Sequence, residues 1–435
     1  MLTHRTLVNA TIILGITFHF IFFFAYYGPP NSIYDWSYFI AWAVVFSLVV
    51  IYLFTVWKSD ISSTAVIILY KLFLLLILIS FGRSLLTVTG IKEFKWLLFD
   101  SYTGLAFFPA LFFIIGVNSK NFSSINKILM IYCLLAFACS LFFIKSADEL
   151  AVFLLMPIFY VIVTYPIQKS NERLLTLIIS VAVIFISLTH RAGVMRIIIS
   201  YCIVLVYFII LNVKINKAIL YLIVFCIMIL PFYFLFQGIM GGDSIFEKIF
   251  SDSPAEYSQE NLMIDTRTFL YAEVFQDLKM SNALPLGKGV AGGYASMSFQ
   301  TMNRQIVEVG FLQMLLKSGI IGFLVYLTLL FSAVFKALGK SKSLFMKCLG
   351  ILLASYLLMF FVENVIAFDL LNIVIWLVIG MCHSKELLGL TDNEIRQLYH
   401  SGRVDAVKAV NKMTGDEQAA SAAYPFKMRQ SKRPS

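Results

Sequence analysis

The sequence predicts an all-α, polytopic integral membrane protein, and three observations lead to this class. Of its 435 residues, 60% are hydrophobic and only 13% are charged, whereas soluble domains are about half apolar and about a quarter charged. Apolar runs of about 20 residues recur along the chain, and each is long enough to cross a bilayer core as a helix. The runs are continuously apolar rather than alternating with a period of two, which favours helices over the strands of a barrel.

About twelve spans are predicted, each an apolar run bounded by polar or basic residues. They lie at about 7–27, 35–57, 62–82, 98–117, 127–145, 150–166, 173–189, 196–213, 217–237, 314–336, 345–363 and 366–382. Asp100 weakens the fourth run, and the twelfth is short. One large polar loop is expected to separate the ninth span from the tenth.

The chain therefore divides into four parts. They are transmembrane helices one to nine (1–237), the large outer loop (238–307), transmembrane helices ten to twelve (308–382) and a tail (383–435). In the tail, Thr391 and Glu394 have capping-box spacing, which predicts a short separate helix through about Tyr399. Gly402 ends this helix, and a second helix is predicted over 403–413.

The distribution of Lys and Arg in the short loops predicts the orientation. With the N-terminus inside, twelve basic residues fall in inner short loops and six in outer short loops. Both termini are therefore expected in the cytoplasm, with the large loop outside. The inner loops account for the net charge of +10, and no basic block with interleaved aromatics indicates a nucleic-acid partner. The stretch LTHRAGVMR, residues 188–196, is then an outer turn whose arginines break the rule.

Basic residues on the outer side need a reason other than topology. Arginine binds phosphate oxygens through two parallel hydrogen bonds and keeps its charge where water is scarce. Several arginines that converge would suit a lipid-linked diphosphate, while a single one could extend to phospholipid headgroups. The candidates are Arg83, Arg191, Arg196, Arg267, Lys288, Arg304 and Lys317, with His190 beside Arg191.

The outer loop contains DTRTFLYAEVFQDL, residues 265–278, which has the pattern of an amphipathic helix. Asp265 or Thr266 is expected to cap it. This start puts Arg267 in the first turn, where the helix dipole disfavours a cation. We therefore expect Arg267 to have a role outside the helix.

The next segment, NALPLGKGVAGG at residues 282–293, contains a GxGxxG pattern. Gly287, Gly289 and Gly292 carry it, but dinucleotide binding also needs a preceding strand in a βαβ unit, and none is predicted. The glycines are instead expected to form a turn where the backbone approaches a ligand closely.

The tenth span begins in RQIVEVGFLQMLLKSGIIGFL, residues 304–324. Glu308 precedes the apolar run, so it could act as a general base with a raised pKa or pair with Arg304 or Arg267. Gly319 and Gly322 are expected to allow close packing of this helix against a neighbour. No DxD motif and no His/Asp cluster with ligand spacing is found, so neither a metal nor another cofactor is expected.

Four further charged residues lie in or beside the predicted spans. Lys71 falls near the middle of the third span and Asp100 near the start of the fourth, so a structural ion pair between these antiparallel neighbours is predicted. Glu363 and Asp369 match no motif and receive no predicted role.

The order of these pieces resembles the O-antigen polymerase and O-antigen ligase superfamily, membrane glycosyltransferases of bacterial surface polysaccharide. The features that carry the resemblance are an outer Arg pair, R-x3-Y from Arg267, PLGxG from Pro285, and a polar residue before FLQxLxxxGxxG. The likeness covers most of 180–335 by motif and the N-terminal half by hydropathy alone. The ligase branch carries a histidine where this chain has Glu308, so the polymerase branch is favoured.

The resemblance implies polymerisation of undecaprenyl-pyrophosphate-linked repeat units at the periplasmic face of the bacterial inner membrane. Metal-independent displacement of the diphosphate would invert the anomeric carbon. Glu308 would serve as the base, with Arg191, Arg196 and Arg267 on the diphosphate. Further substrate contacts would come from Arg83, His190, Arg304, Lys288, Gly287 and Gly289. The implied partners are the lipid-linked donor and acceptor, the bilayer, a chain-length regulator and a flippase.

Three alternatives stay open from the sequence. An O-antigen ligase would transfer finished glycan to lipid A core, and the missing histidine counts against it. A lipid-linked oligosaccharide transporter would need access from both sides, whereas the polar material is concentrated in one outer loop. A membrane scaffold without chemistry is the third.

Overall fold

The computed structural model describes residues 4–27, 33–55, 61, 63–142, 157–186, 191–212, 217–239, 259–296, 301–361 and 366–402. Their α-helices are α1 (His4–Tyr27), α2 (Ile33–Thr55), α3 (Thr64–Thr87), α4 (Ile91–Phe99), α5 (Phe113–Val117), α6 (Phe122–Phe142), α7 (Ile158–Val163), α8 (Ser170–Ile186), α9 (Arg191–Asn212), α10 (Lys217–Ile239), α11 (Gln259–Met280), α12 (Gly310–Lys340), α13 (Leu344–Phe360), α14 (Leu370–His383), α15 (Lys385–Gly389) and α16 (Asp392–Ser401). Short 3-10 turns cover Phe108–Phe112, Ser119–Asn121 and Tyr165–Ile167, and a hairpin joins β1 (Tyr294–Ser296) to β2 (Thr301–Arg304).

The helices agree with the predicted all-α membrane class. In the described ranges, the segments long and apolar enough to cross a membrane are Thr64–Thr87, Ser119–Ala138, Gly193–Asn212 and Gly310–Lys340. Shorter apolar helical segments are Thr6–His19, Ile40–Ile51, Phe108–Val117, Ala218–Leu230, Leu344–Phe360 and Leu370–His383. The number of twelve spans, the extent of the large loop and the orientation remain predictions.

The centre of the bundle is α14, in which every residue is buried. Its sequence, LLNIVIWLVIGMCH, is apolar on all sides, as expected of a helix without a solvent-facing stripe. Trp376 of α14 stacks on Phe73 of α3, and Tyr326 of α12 packs against both rings. These contacts place α3, α12 and α14 side by side.

The bundle has two ends, which we name by the segments that cover them. At the loop end, residues 286–291 lie beside the last turns of α3, and Phe368 N donates to Ser101 O (2.8 Å). At the tail end, Lys342 N donates to Leu388 O (3.1 Å). Each long helix of the centre therefore runs from one end to the other.

The predicted fourth span, 98–117, is wrong as a continuous helix. Residues 101–107 form turns, a 3-10 segment follows, and α-helix resumes only at Phe113. The side chain of Asp100 accepts a hydrogen bond from Tyr102 N (2.8 Å), so it satisfies the local backbone in a non-helical form. Pro109 occupies the first turn of the 3-10 segment, where its missing N–H costs nothing.

Two helix starts also differ from the prediction. Helix α9 begins at Arg191, so the predicted turn over 188–196 is wrong for 191–196, and Arg196 lies in the second turn. An arginine can reach a polar partner from inside a helix because its side chain is long, so the basic pair did not require a turn. Helix α11 begins at Gln259 rather than at Asp265, so Arg267 lies in the third turn and the argument from the helix dipole fails.

The capping box of the tail is confirmed, but the tail is not separate from the bundle. Helix α16 has the reciprocal bonds between Thr391 and Glu394, and Gly402 ends it at φ 68°. The Asp392 carboxylate accepts from Leu344 N and Phe345 N, both at 3.0 Å, so the tail helix caps α13. The second predicted tail helix, 403–413, lies outside the described residues.

Candidate functional site

Helix α12 is broken at Gly319, which has φ 68° and ψ −173°. Residues 310–318 form a first half-helix, and residues 320–340 form a second. A break in a membrane-spanning segment leaves carbonyls of the first half and N–H groups of the second without helical partners, which is costly where water is absent. The prediction that Gly319 serves helix–helix packing is therefore wrong, because this glycine ends a helix.

The capping loop, residues 283–292, supplies the missing partners. Its backbone bonds to the broken turn are Lys288 N to Leu316 O (2.7 Å), Gly289 N to Lys317 O (3.2 Å), Ile320 N to Leu284 O (2.9 Å) and Ile321 N to Pro285 O (3.2 Å). Two motifs that stand apart in the sequence, PLGKG and KSGIIG, thus form one structural unit.

Glycine is required where the two motifs touch. A Cβ atom on Gly287, which has φ 68°, would stand 2.5 Å from Lys317 C and 2.6 Å from Gly319 N. Backbone atoms cannot rotate away as a flexible side chain can. A Cβ atom on Gly289, which has φ 89°, would stand equally close to the hydroxyl oxygen of Ser84 in α3. The close approach predicted for Gly287 and Gly289 is therefore to the protein's own backbone and side chains, and both residues are buried.

Polar side chains of α3 hold the capping loop from its other side. Ser80 Oγ donates to Lys317 O (2.8 Å), and Ser84 Oγ accepts from Ala291 N (2.9 Å). Between them, Arg83 donates through one nitrogen to Leu286 O (3.0 Å) and Gly287 O (2.6 Å). Arg83, predicted as a substrate contact, thus binds the capping loop. The two serines, one helical turn apart, were a signal that the sequence reading missed.

Beneath the loop lie two fully buried polar side chains of the first half-helix. Lys317 donates to Gly292 O (2.7 Å) and is attracted by the carboxylate of Asp100. Gln313 donates to Tyr102 O (3.0 Å). The predicted pair between Lys71 and Asp100 is wrong, because Lys71 is exposed on α3, whereas the carboxylate of Asp100 accepts from Tyr102 N and attracts Lys317.

Glu308 forms an ion pair at the loop end. Arg304 donates to Glu308 Oε1 (2.8 Å), and the two side chains are 21% and 33% exposed. Arg304 also donates to the hydroxyl of Tyr294 (3.3 Å), opposite which it stands in the β hairpin. Burial raises the pKa of Tyr294, and the guanidinium of Arg304 opposes that rise. Of the two alternatives for Glu308, pairing with Arg304 is present in the structure, and its use as a base stays a prediction.

Helix α11 adds two carboxylates to this region. Glu273 accepts from Ser296 Oγ of β1 (2.7 Å), and Asp277 forms an ion pair with Lys288 of the capping loop. Glu273 received no predicted role, since nothing local in the sequence shows that it reaches a strand 23 residues later. Tyr271 of the R-x3-Y motif packs against Phe311 of the FLQ motif, with ring centroids 5.3 Å apart.

Arg196 lines a small cavity between α7, α9, α13 and α14. Its lining includes Ser200, Tyr356, Leu352, Met359 and Leu371, so one guanidinium stands among mostly apolar walls. Asp369, for which no role was predicted, caps α14 by accepting from Asn372 N (2.8 Å) and lies near enough to attract Arg196.

The cavity and the Glu308 region share the loop end. Phe361, at the end of α13, stacks on Phe311 with centroids 4.6 Å apart, and Phe311 follows Glu308 by three residues. The side chains of Arg191 and Arg267 lie outside the described part of the chain, as do His190 and Glu363 as whole residues. The predicted roles of Arg191, Arg267 and His190 stay predictions, and Glu363 has none.

Comparisons with family models, with curated proteins and with solved structures give no match for this chain.

Proposed function

We propose that this chain polymerises undecaprenyl-pyrophosphate-linked oligosaccharide repeat units into surface polysaccharide at the periplasmic face of the bacterial inner membrane. The observation that carries the proposal is the assembly of the motif pieces. Tyr271 of R-x3-Y, the PLGKG loop and the FLQ half-helix meet in one unit, although up to 50 residues separate them. Glu308 and Arg304 stand directly before this half-helix.

The proposed reaction uses Glu308 and the arginines in different roles. The acceptor sugar hydroxyl gives its proton to the Glu308 carboxylate as its oxygen bonds to the anomeric carbon of the donor. The bond from that carbon to the diphosphate breaks with inversion, and the electron pair leaves with the diphosphate. Guanidinium groups stabilise the leaving charge, which is the larger part of the expected rate gain. Arg304 beside Glu308 orients the carboxylate toward the incoming hydroxyl.

The surroundings of Arg196, rather than the size of its small cavity, support a lipid-linked donor. A polyprenyl diphosphate combines an apolar chain with a strongly charged head, and Arg196 lines the cavity with Ser200, Tyr356 and apolar side chains of four helices. A guanidinium is also the side chain that binds diphosphate oxygens in pairs. No metal enters the proposed chemistry, and the substrates are membrane lipids.

A transporter of lipid-linked oligosaccharide is the second candidate, because a discontinuous span is common in transporters. In many of them the broken turn binds the cargo. Here the backbone of residues 284–289 already occupies the broken turn at Gly319, and a Cβ on Gly287 would not fit. This occupancy favours the polymerase.

Proteoliposomes that contain the purified chain and synthetic lipid-linked repeat units test the proposal, with chain length followed by gel electrophoresis. Glu308→Gln keeps the shape of the side chain and removes the proton acceptor, so the rate should fall by about 100-fold or more. Arg196→Ala should lower the rate by a similar factor of about 100. The matched controls are Glu93→Gln, whose side chain binds Thr89 at the start of α4, and Lys71→Ala, whose side chain is exposed on α3.

Normal chain growth in both Glu308→Gln and Arg196→Ala would overturn the proposed site. Movement of the lipid-linked unit across the bilayer without any chain growth would favour the transporter. Transfer of glycan to added lipid A core instead of to a second repeat unit would establish the ligase.

A further inference from the structure

The charged hairpin at the loop end is attached to α12 at two points, in addition to the bond from Ser296 of β1 to Glu273 of α11. Residues 293–306 carry β1, β2 and the Arg304 side of its ion pair with Glu308. Just before this segment, Gly292 O accepts from Lys317, and just after it, Val307 N donates to Gln313 Oε1 (2.8 Å). Both anchors belong to the first half-helix of α12.

The two anchors share one face of that half-helix. Gln313 and Lys317 are four residues apart, which brings their side chains to the same side of an α-helix. Each is 0% exposed, in a segment whose other residues are nearly all apolar. Burying an amide or an ammonium costs free energy unless it is bonded, so these residue types have a specific use at these positions.

A third segment joins the anchors to each other. Gln313 donates to Tyr102 O, and Tyr102 N donates to the Asp100 carboxylate, which in turn attracts Lys317. The irregular segment that replaced the predicted fourth span therefore holds Gln313 by a hydrogen bond and brings a carboxylate near enough to attract Lys317. A directional hydrogen bond fixes position more sharply than apolar packing does.

Each anchor stands close to a member of the ion pair. Val307 directly precedes Glu308 in the chain. Gly292 stands two residues before Tyr294, whose hydroxyl accepts from Arg304. A shift of either anchor would therefore move Glu308 or Arg304 relative to the bundle and to the Arg196 cavity in it.

We infer that Gln313 and Lys317 are positioning residues that hold the Arg304–Glu308 pair at a fixed place over the loop end. The catalytic consequence of this inference rests on the proposed function, because the placement of Glu308 affects a rate only if that carboxylate meets a substrate. We call the attachment of the hairpin to Gln313 and Lys317 the clamp. The clamp is a property of the chain alone, and it can be measured without any substrate.

Amide hydrogen exchange on the full chain in nanodiscs tests the clamp. The variants are Gln313→Met and Lys317→Met, which keep side-chain length and remove the polar groups, with Lys71→Met as the matched control on the exposed face of α3. Peptides over 292–308 should exchange at least tenfold faster in the first two variants, while peptides from α14 keep the rate of the unaltered chain. Lys317→Arg, which retains a donor and the charge, should restore protection at 292–296.

The polymerisation assay supplies the second readout. With the hairpin loosened, kcat should fall at least tenfold while KM for the lipid-linked unit changes by less than twofold, because the Arg196 cavity is intact. Unchanged exchange over 292–308, or faster exchange spread equally over the bundle, would overturn the clamp. If the unaltered chain makes no polymer, the proposed function fails, and the exchange pattern still decides whether the clamp exists.

Discussion

The junction between the capping loop and the broken helix should be intolerant of a single methyl group. Gly287→Ala is the sharpest perturbation of it, because this residue has φ 68° and faces backbone atoms only. The new Cβ would stand 2.5–2.6 Å from the carbon and oxygen of Lys317 and from Gly319 N. The loop must then move by about 1 Å to reach ordinary van der Waals separation.

The expected loss of stability follows from two contributions. A left-handed conformation costs a residue with a Cβ about 1–2 kcal/mol relative to glycine. Displacement of the loop would also break some of its four backbone bonds to Leu316, Lys317, Ile320 and Ile321. Each buried backbone group left without a partner costs about 1–3 kcal/mol, so two such groups and the strain together amount to about 3–8 kcal/mol.

Thermal unfolding in detergent, followed by tryptophan fluorescence, measures this difference. Gly82→Ala is the matched control, since the same methyl group on α3 meets nothing within 4 Å. In a helix that change should be neutral or stabilising by about 0.5–1 kcal/mol. A Tm for Gly287→Ala within 2 °C of the Gly82→Ala value would refute the assignment of residues 283–292 as the cap of the broken turn.

Two further variants test other junctions of the fold. Asp392→Ala removes the carboxylate that accepts from Leu344 N and Phe345 N, so the free energy of unfolding should fall by about 1–2 kcal/mol. The control is Asn393→Ala, at an exposed neighbouring position, which should leave Tm unchanged. Equal Tm values for the two variants would exclude the cap on α13. Arg83→Gln removes the guanidinium that binds two loop carbonyls, so stability should fall by about 1 kcal/mol with KM for the lipid-linked unit unchanged. A large rise in KM instead would return Arg83 to its predicted role as a substrate contact.

Some features of the candidate site could be read from the sequence because they are local. The motif pieces PLGKG and FLQMLLKSG were recognised, and pairing of Glu308 with Arg304 was one of two stated possibilities, since residues four apart can meet without knowledge of the fold. The surroundings of Asp100 could not be read. Whether Lys71 or Lys317 is the lysine that its carboxylate attracts depends on which side of α3 faces α12, and no local pattern encodes that.

The sequence by itself determined the membrane class, the positions of most helices and the capping box at Thr391, because composition, apolar run length and capping chemistry act within a few residues of the chain. Only the tertiary structure decided that Gly319 ends a helix instead of packing one. The break is tolerable because a loop some thirty residues earlier supplies the backbone partners, and a bond between distant segments exists only once the helices have assembled.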